Sequence, residues 1–245
     1  MSSHPLSSDP HDHPAPDRTP VVLVHGLRVS GATMRRVAAA LPDRAVVTPD
    51  MPGHGTRSAE RFTMDGAVSA VVDAIDGLGG RAVVAGMSMG GYVAMATAAA
   101  HPDRVQSVVA LCSTTQPSPL FAAPFRAFGL ATSILPAQAA HISRALTRLV
   151  VGRQVSEDME AGGLSLHSIR DVVSEVARFD ALGAVSTYRG PALFVNGAWD
   201  QFRLHEKHFA AAAPDGRLIV VPRAMHLFPL IQPELTASII DEFAG

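Results

Sequence analysis

The sequence predicts an α/β fold: a trimmed, six-stranded, parallel doubly wound sheet with a helical lid inserted after the strand that ends near Leu111. Short apolar, β-branched runs alternate with segments of helical period, and each run stops at a cluster of Gly, Pro, Asp, Ser or His. The alternation lapses once, between about residues 114 and 185, where only helix-like segments occur. Parallel strands joined by right-handed crossover helices make a doubly wound sheet. No internal repeat is present.

Residues 1–18 are rich in Ser, Pro, Asp and His and have almost nothing to bury, so a disordered tail is expected there. His4, His11 and His13 in that tail would catch a metal only adventitiously. One domain is expected over residues 19–245. Val21 to Val24 reads as a buried strand that stops at His25-Gly26. Gly31 to Leu41 has helical spacing at Met34, Val37, Ala38 and Leu41, and Pro42 ends it. Ala45 to Thr48 is the second strand, running into a turn-rich loop from Asp50 to Ser58. Thr63 fits the N-cap of a helix carrying Val68, Val71, Val72 and Ile75, closed by Gly77 and Gly79-Gly80.

Ala82 to Ala85 has the length and branching of a buried strand, and Gly91 to Ala100 favours helix. Together, Ala82 to Ala100 carries no charge and is nearly long enough to cross a bilayer. Its three glycines, its serine and its break in period split it into strand and helix instead. Val105 to Leu111 is the next strand, ending at Cys112-Ser113. Leu120 to Leu130, Ala139 to Val151 and His167 to Leu182 are the helical pieces of the insertion, most simply a lid over one end of the sheet. Pro191 to Asn196 resumes as strand, Leu204 to Ala213 as helix, Arg217 to Val221 as the last strand and Pro233 to Ala244 as the closing helix. The core thus comprises residues 19–113 and 186–245, and the lid about 114–185.

The 245 residues, 47% of them hydrophobic, can bury a large core. A formal net charge of −2 gives no electrostatic case for nucleic acid or an anionic membrane, which leaves a small-molecule substrate as the expected partner. The lone Cys112 excludes an internal disulfide framework and fits a reducing, cytoplasmic setting; the N-terminus has no basic start followed by an apolar core. Nothing in the sequence specifies an oligomeric state.

The chemistry centres on Gly86-Met87-Ser88-Met89-Gly90. A serine on a strand-to-helix turn this sharp is held in a strained backbone conformation, where side chains two residues either side would collide. Its place at a helix N-terminus favours developing negative charge. The pentapeptide alone arises often by chance; the strand–turn–helix context is what gives it weight. Ligands gather at the carboxyl ends of such strands. Standing there are His25-Gly26-Leu27, Asp50, Ser88-Met89, Cys112-Ser113, Asp200 and His226. A nucleophilic serine needs a base and a carboxylate that orients it, and Ser88, Asp200 and His226 supply all three, each after its own strand.

With these motifs the chain resembles an α/β-hydrolase. The matching residues are Val24-His25-Gly26, Asp50-x-Pro52-Gly53-His54-Gly55-x-x-Ser58, Gly86 to Gly91, Gly197-x-x-Asp200 and Met225-His226. The resemblance implies Ser88 as nucleophile, His226 as general base and then acid, and Asp200 as the orienting carboxylate. It implies an oxyanion hole from the backbone N–H groups of Leu27 and Met89. No cofactor or metal is expected. Three departures stand out: the two strands that usually precede the His-Gly strand are missing, Met87 replaces a frequent histidine, and Ala224-Met225 replaces a frequent glycine.

Other residues compete for these roles. His205 and His208 read as a solvent-facing helix side, because a zinc pair would need further ligands. Asp50 fits a hydrogen bond within its own turn, and Asp180 falls near the return from the lid. His25 and His54 fit turn stabilisation, Cys112 fits a packed side chain, and His167 has no assigned role. Phe121, Phe125, Phe128 and Met159 line an apolar pocket or form the lid's own core; Trp199 is pocket wall or structural packing. The expected activity is cleavage of a small or medium apolar carboxylic ester through an acyl-enzyme. Lactone, thioester or carbon–carbon hydrolysis and perhydrolysis are the alternatives within the same triad, and a non-catalytic binder is the alternative outside it.

Overall fold

The computed structural model describes residues 18–119, 123, 125, 127, 130 and 136–245. Six strands pair in parallel in the order β2-β1-β3-β4-β5-β6. They are β1 (Val21–Val24), β2 (Val46–Val47), β3 (Ala82–Met87), β4 (Val105–Leu111), β5 (Pro191–Gly197) and β6 (Asp215–Val221). The described helices are α1 (Arg35–Ala39), α2 (Met64–Gly77), α3 (Met89–Ala100), α4 (Pro136–Ala161), α5 (Ile169–Val176), α6 (Ala181–Thr187), α7 (Glu206–Ala212), α8 (Phe228–Ile231) and α9 (Pro233–Ala244). The chain winds outward from β1 to β2, then crosses back and continues from β3 to β6, which is the doubly wound pattern.

Side chains alternate along a strand, so the inner strands β1, β3, β4 and β5 each feed two cores. Val22, Val24, Val84, Ala110 and Phe194 join one core with Val71 and Ile75 of α2, Val93 of α3 and Phe209 of α7. Val21, Leu23, Val83, Val109 and Val195 join the other with Met34, Val37 of α1, Phe228 of α8 and Ile240 of α9. Burial on both faces is why the strands read as unbroken apolar runs. The Ala82–Ala100 stretch divides into β3 and α3, and among the described residues no helix is long and apolar enough to cross a membrane.

Several boundaries differ from expectation for local reasons. The helix expected over Gly31 to Leu41 opens as a 3-10 turn, Gly31–Met34, and is α-helical only over α1. There the Gly31 N–H donates to Asp50 Oδ1, tying the first turn to a neighbouring loop. Edge strand β2 keeps two residues, bonded on one side to β1. The segment from His167 to Leu182 is not one helix: Asp180 accepts from the Gly183 N–H and starts α6 afresh. The helix expected from Leu204 starts at Glu206, after the His205 N–H has donated to Thr114 O. Helix α8 was not anticipated.

Among the described residues between β4 and β5 no strand occurs. Gly152 interrupts α4 with φ 79° and ψ 175°. Val151, Val155 and Met159 of α4 pack into the second core, whereas Ile169 and Val173 of α5 cluster with Leu27 and Phe125. The expected helix over Leu120 to Leu130 lies mostly outside the described residues, as does the tail up to residue 17. Arg18, the last residue assigned to that tail, pairs with Asp241 at 2.9 Å.

Candidate active site

The register brings the strand ends abreast: Val24 pairs with Gly86, Met87 with Leu111, Leu111 with Val195 and Gly197 with Val221. The residues that follow each strand are therefore neighbours in space, although 138 positions separate Ser88 from His226 in the chain. Ser88, between β3 and α3, has φ 55° and ψ −116°. A non-glycine residue held there stores about 1–3 kcal/mol of strain, so its surroundings must fix it. Its N–H donates to Leu111 O at 2.8 Å, and Ser113 Oγ lies 2.9 Å from Ser88 O. A Cβ on Gly86 would stand 2.0 Å from Gly90 O, and one on Gly90 2.3 Å from Val24 O. Only glycine lets strand, turn and helix approach this closely.

The loops after β5 and β6 are laced together. The Ala198 N–H donates to Val221 O and the Trp199 N–H to Ala224 O, both at 2.9 Å. A Cβ on Gly197 would meet Ala224 O at 2.3 Å, so this glycine admits the second loop. The result puts His226 Nδ1 3.0 Å from Asp200 Oδ1 and His226 Nε2 3.1 Å from Ser88 Oγ. Asp200 Oδ1 also accepts the Phe202 N–H at 2.8 Å. Burial pushes the Asp200 carboxyl up, but the hydrogen bond and charge of His226 and the Phe202 N–H outweigh it. The group ends below its usual range and stays ionised. Phe202 packs on the imidazole, ring centroids 4.5 Å apart.

The profile of the alpha/beta hydrolase family matches residues 21–239 of the chain. The chain belongs to the alpha/beta hydrolase family. Among the relatives of this alpha/beta hydrolase, a pimeloyl-[acyl-carrier protein] methyl ester esterase of Aromatoleum aromaticum is 28% identical over 250 residues, covering 92% of this chain and 98% of that one. The lipase LipV of Mycobacterium tuberculosis is 42% identical over 93 residues, a match that spans 37% of this chain and 36% of the lipase. Among solved structures, a thermophilic esterase from Thermogutta terrifontis superposes with a TM-score of 0.76 at 24% identity, covering 93% of this chain and 90% of that one. The enol-lactonase from Burkholderia xenovorans LB400 gives 0.72 at 21% identity, with 92% and 91% covered. At these identities the two structures speak for the fold alone.

Two cavities open at Ser88 of this alpha/beta hydrolase. One, of about 100 Å³, is lined by Leu27, Met89, Tyr92 and the α5 face Val172, Val173 and Val176. The other, of about 640 Å³, is lined by His226, Met159, Arg28 and Arg223 among others. Phe125 and Phe202 line both. Of the expected pocket residues, Phe125 and Met159 thus reach the site, whereas Phe121 and Phe128 lie outside the described residues. Trp199 is 64% exposed in the turn after β5 and lines neither cavity. The α5 face was missed. Its stripe of Ile169, Val172, Val173 and Val176 was legible as a helix face, but not what that face would meet.

The rival residues are occupied elsewhere. Asp50 accepts from Gly31 N and from Thr56 N and Oγ1, each at 2.8 Å, within and beside its own turn. Asp180 caps α6. His205 is not a solvent-facing helix residue: its Nδ1 accepts the Gln116 N–H at 3.0 Å. The His25 Nδ1–H donates to Gly26 O and its Nε2 accepts the Met51 N–H, so the ring braces the turn as a neutral tautomer. His54 Nε2 lies 3.0 Å from Ser168 Oγ, and His167 Nε2–H donates to Ser58 O, linking the insertion to the same loop. The potential ligand atoms of Cys112, Asp200 and His226 lie within 4.8 Å of one another. Burial, then the Asp200 charge, push the Cys112 thiol well above its usual range. It stays protonated and faces the carboxylate as a thiol, a poor metal ligand.

Proposed function

We propose that the protein is a serine hydrolase that cleaves small or medium apolar carboxylic esters by way of an acyl-enzyme. The observation that carries this reading is the relay of 3.1 Å from Ser88 Oγ to His226 Nε2 and 3.0 Å from His226 Nδ1 to Asp200 Oδ1. Its position at the floor of a largely apolar cavity supports an apolar substrate. So do the ester-cleaving and lipase names carried by the relatives.

In this mechanism His226 Nε2 takes the Ser88 proton as Oγ attacks the ester carbonyl carbon. The carbonyl oxygen becomes an oxyanion that the N–H groups of Leu27 and Met89 receive; both residues line the small cavity. The Asp200 carboxylate, kept ionised, holds the Nδ1–H and stabilises the imidazolium. As the tetrahedral intermediate collapses, Nε2–H protonates the departing alcohol oxygen. A water then gives its proton to Nε2 and attacks the acyl carbon, and Ser88 leaves with that proton restored. The helical insertion would serve as a lid, since α5 roofs the small cavity.

A fluorophosphonate probe tests the reading, because it modifies only an activated serine. Labelling is expected at Ser88, and Ser88→Ala should lose both the label and ester turnover, by a factor of about 10⁴ or more. A Ser88→Ala protein that keeps its rate sinks the mechanism.

A further inference from the structure

Strand β4 lies between the strand that leads to Ser88 and the one that leads to Asp200, since the sheet order runs β3-β4-β5-β6. Ser88 comes after β3, Asp200 after β5 and His226 after β6, whereas Cys112, the first residue after β4, has no part in the relay described above. Its position is nevertheless a constrained one. The Cys112 φ is 56°, in the left-handed region that a non-glycine residue rarely adopts and keeps only where its surroundings fix it. The Cys112 N–H donates to Val195 O at 2.8 Å, and the next residue, Ser113, places its Oγ 2.9 Å from Ser88 O. Cys112 is buried, so its thiol stays where this turn aims it.

What the thiol meets is the unused half of the acid. Asp200 Oδ1 accepts both the His226 Nδ1–H at 3.0 Å and the Phe202 N–H at 2.8 Å. Oδ2 is buried as well and accepts nothing from any N–H or O–H of the described residues. A buried carboxylate oxygen without a donor is costly enough to call for one. Cys112 Sγ, a carboxylate oxygen of Asp200 and a ring nitrogen of His226 all lie within 4.8 Å of one another. A thiolate there would set a second negative charge beside the first; burial, then the Asp200 charge, keep the proton on the sulfur. The side chain therefore presents an S–H, a weak donor, to an ionised acceptor. The consequence is orientation. The last torsion of an aspartate is soft, so a carboxylate held through one oxygen can swing the other. A donor on Oδ2 fixes the plane of the group, and with it the direction from which Oδ1 meets His226.

We propose that Cys112 is a positioning residue of the relay: its Sγ–H donates to Asp200 Oδ2 and fixes the carboxylate plane from which Oδ1 holds the imidazole of His226. The effect on rate rests on the acyl-transfer reading above, whereas the hydrogen bond itself can be tested without a substrate.

Cys112 is the single cysteine of the chain, so the infrared S–H stretching band of the full-length protein reports this thiol alone. In the wild type the band should stand below that of a free thiol in an apolar solvent, because hydrogen bonding weakens the S–H bond. In Asp200→Ala it should rise to the free-thiol position, and in Asp200→Asn, which keeps the shape of the site, it should rise part of the way. Either variant decides the matter if the other fails to fold. The kinetic arm compares Cys112→Ser with Cys112→Ala, which take similar bulk from the wall of the small cavity and differ in keeping or losing a donor. Cys112→Ala should lower kcat by about tenfold at nearly unchanged KM, and Cys112→Ser should stay within about threefold of the wild type. A band that the substitutions at residue 200 leave in place, or equal losses of kcat in the Ser and Ala variants, overturns the inference while leaving ester hydrolysis intact. A wild type that turns over no ester overturns the hydrolase reading, and the infrared shift then decides the hydrogen bond by itself.

Discussion

The strand-end loops and the helical insertion both border Ser88, yet they are held by different forces. Around the serine, backbone hydrogen bonds donated to the carbonyls of Leu111, Val221 and Ala224 fix the loops, and the glycines at 86, 90 and 197 bring backbone to backbone closer than any Cβ would allow. On the other side, α4 and α5 reach the cavities chiefly through apolar contact, Met159 in one cluster and Ile169 and Val173 in another. Polar ties from the insertion to the core include the Ser165 N–H to Arg28 O at 2.8 Å and the Met64 N–H to Glu175 Oε2 at 3.1 Å. The difference assigns the tasks. Directional bonds suit a relay whose geometry must hold to a few tenths of an ångström, whereas apolar contact tolerates exchange of one side chain for another. On the proposed reading, chemistry belongs to the loops, and selection of the substrate to the insertion and the rim.

The largest expected effect falls on the loop side. Asp200→Asn keeps the shape but removes the charge that holds the His226 Nδ1–H, and kcat should fall by about 10⁴ with little change in melting temperature. A loss of less than about tenfold would mean that the relay does not depend on the carboxylate.

Next comes the acid sensitivity of the loops. Burial first, then the His54 charge, push His25 down to about 4 from its ordinary 6.5, and burial lowers His54 as well. Unfolded chains take up the His25 proton as the pH drops below about 6.5, while the folded chain refuses it until near 4. Stability is therefore whole above the unfolded value and is lost as the pH falls towards 4, by on the order of 3 kcal/mol from His25. Urea titrations at about pH 7.5 and about pH 4.5 should show that loss, and His25→Asn should show less of it. Equal losses in the two proteins would remove His25 from the account.

A smaller effect is expected in the insertion. Ala177, a buried residue lining the small cavity, can be enlarged to Leu. kcat/KM for butyrate esters should drop by about tenfold or more while acetate is affected least. A uniform loss across chain lengths would mean that α5 governs the chemistry too, erasing the distinction between the regions. Smallest of all is Trp199→Ala: this exposed side chain touches neither cavity, and stability should stay within about 0.5 kcal/mol with ester turnover unaltered.

Much of this molecule was legible in one dimension. The apolar runs gave every strand, and the turn chemistry gave caps such as Thr63, whose Oγ1 accepts the Gly66 N–H at 3.1 Å. The order of Ser88, Asp200 and His226, each after its own strand, pointed to their convergence, because parallel strands in register must end side by side. Reading failed where a residue's role depends on a partner far along the chain. His205 looked like a solvent-facing helix residue and instead holds the Gln116 N–H. Trp199 was a candidate pocket wall and stands in solvent. Arg28 and Arg223 drew no attention because nothing local distinguishes them from ordinary surface cations.

What the sequence determined by itself is therefore the periodic and the local: strands, most helices, the glycines that permit the elbow, and the kinds of side chain that end each strand. Only the tertiary structure decided which cavity lies on the imidazole side, which face of α5 closes the other, and that two arginines 195 positions apart line one cavity. The physical reason is that hydrophobic period and turn preference act between neighbours in the chain. Cavity shape and charge arise where distant segments are packed against each other, and no short-range rule encodes that meeting.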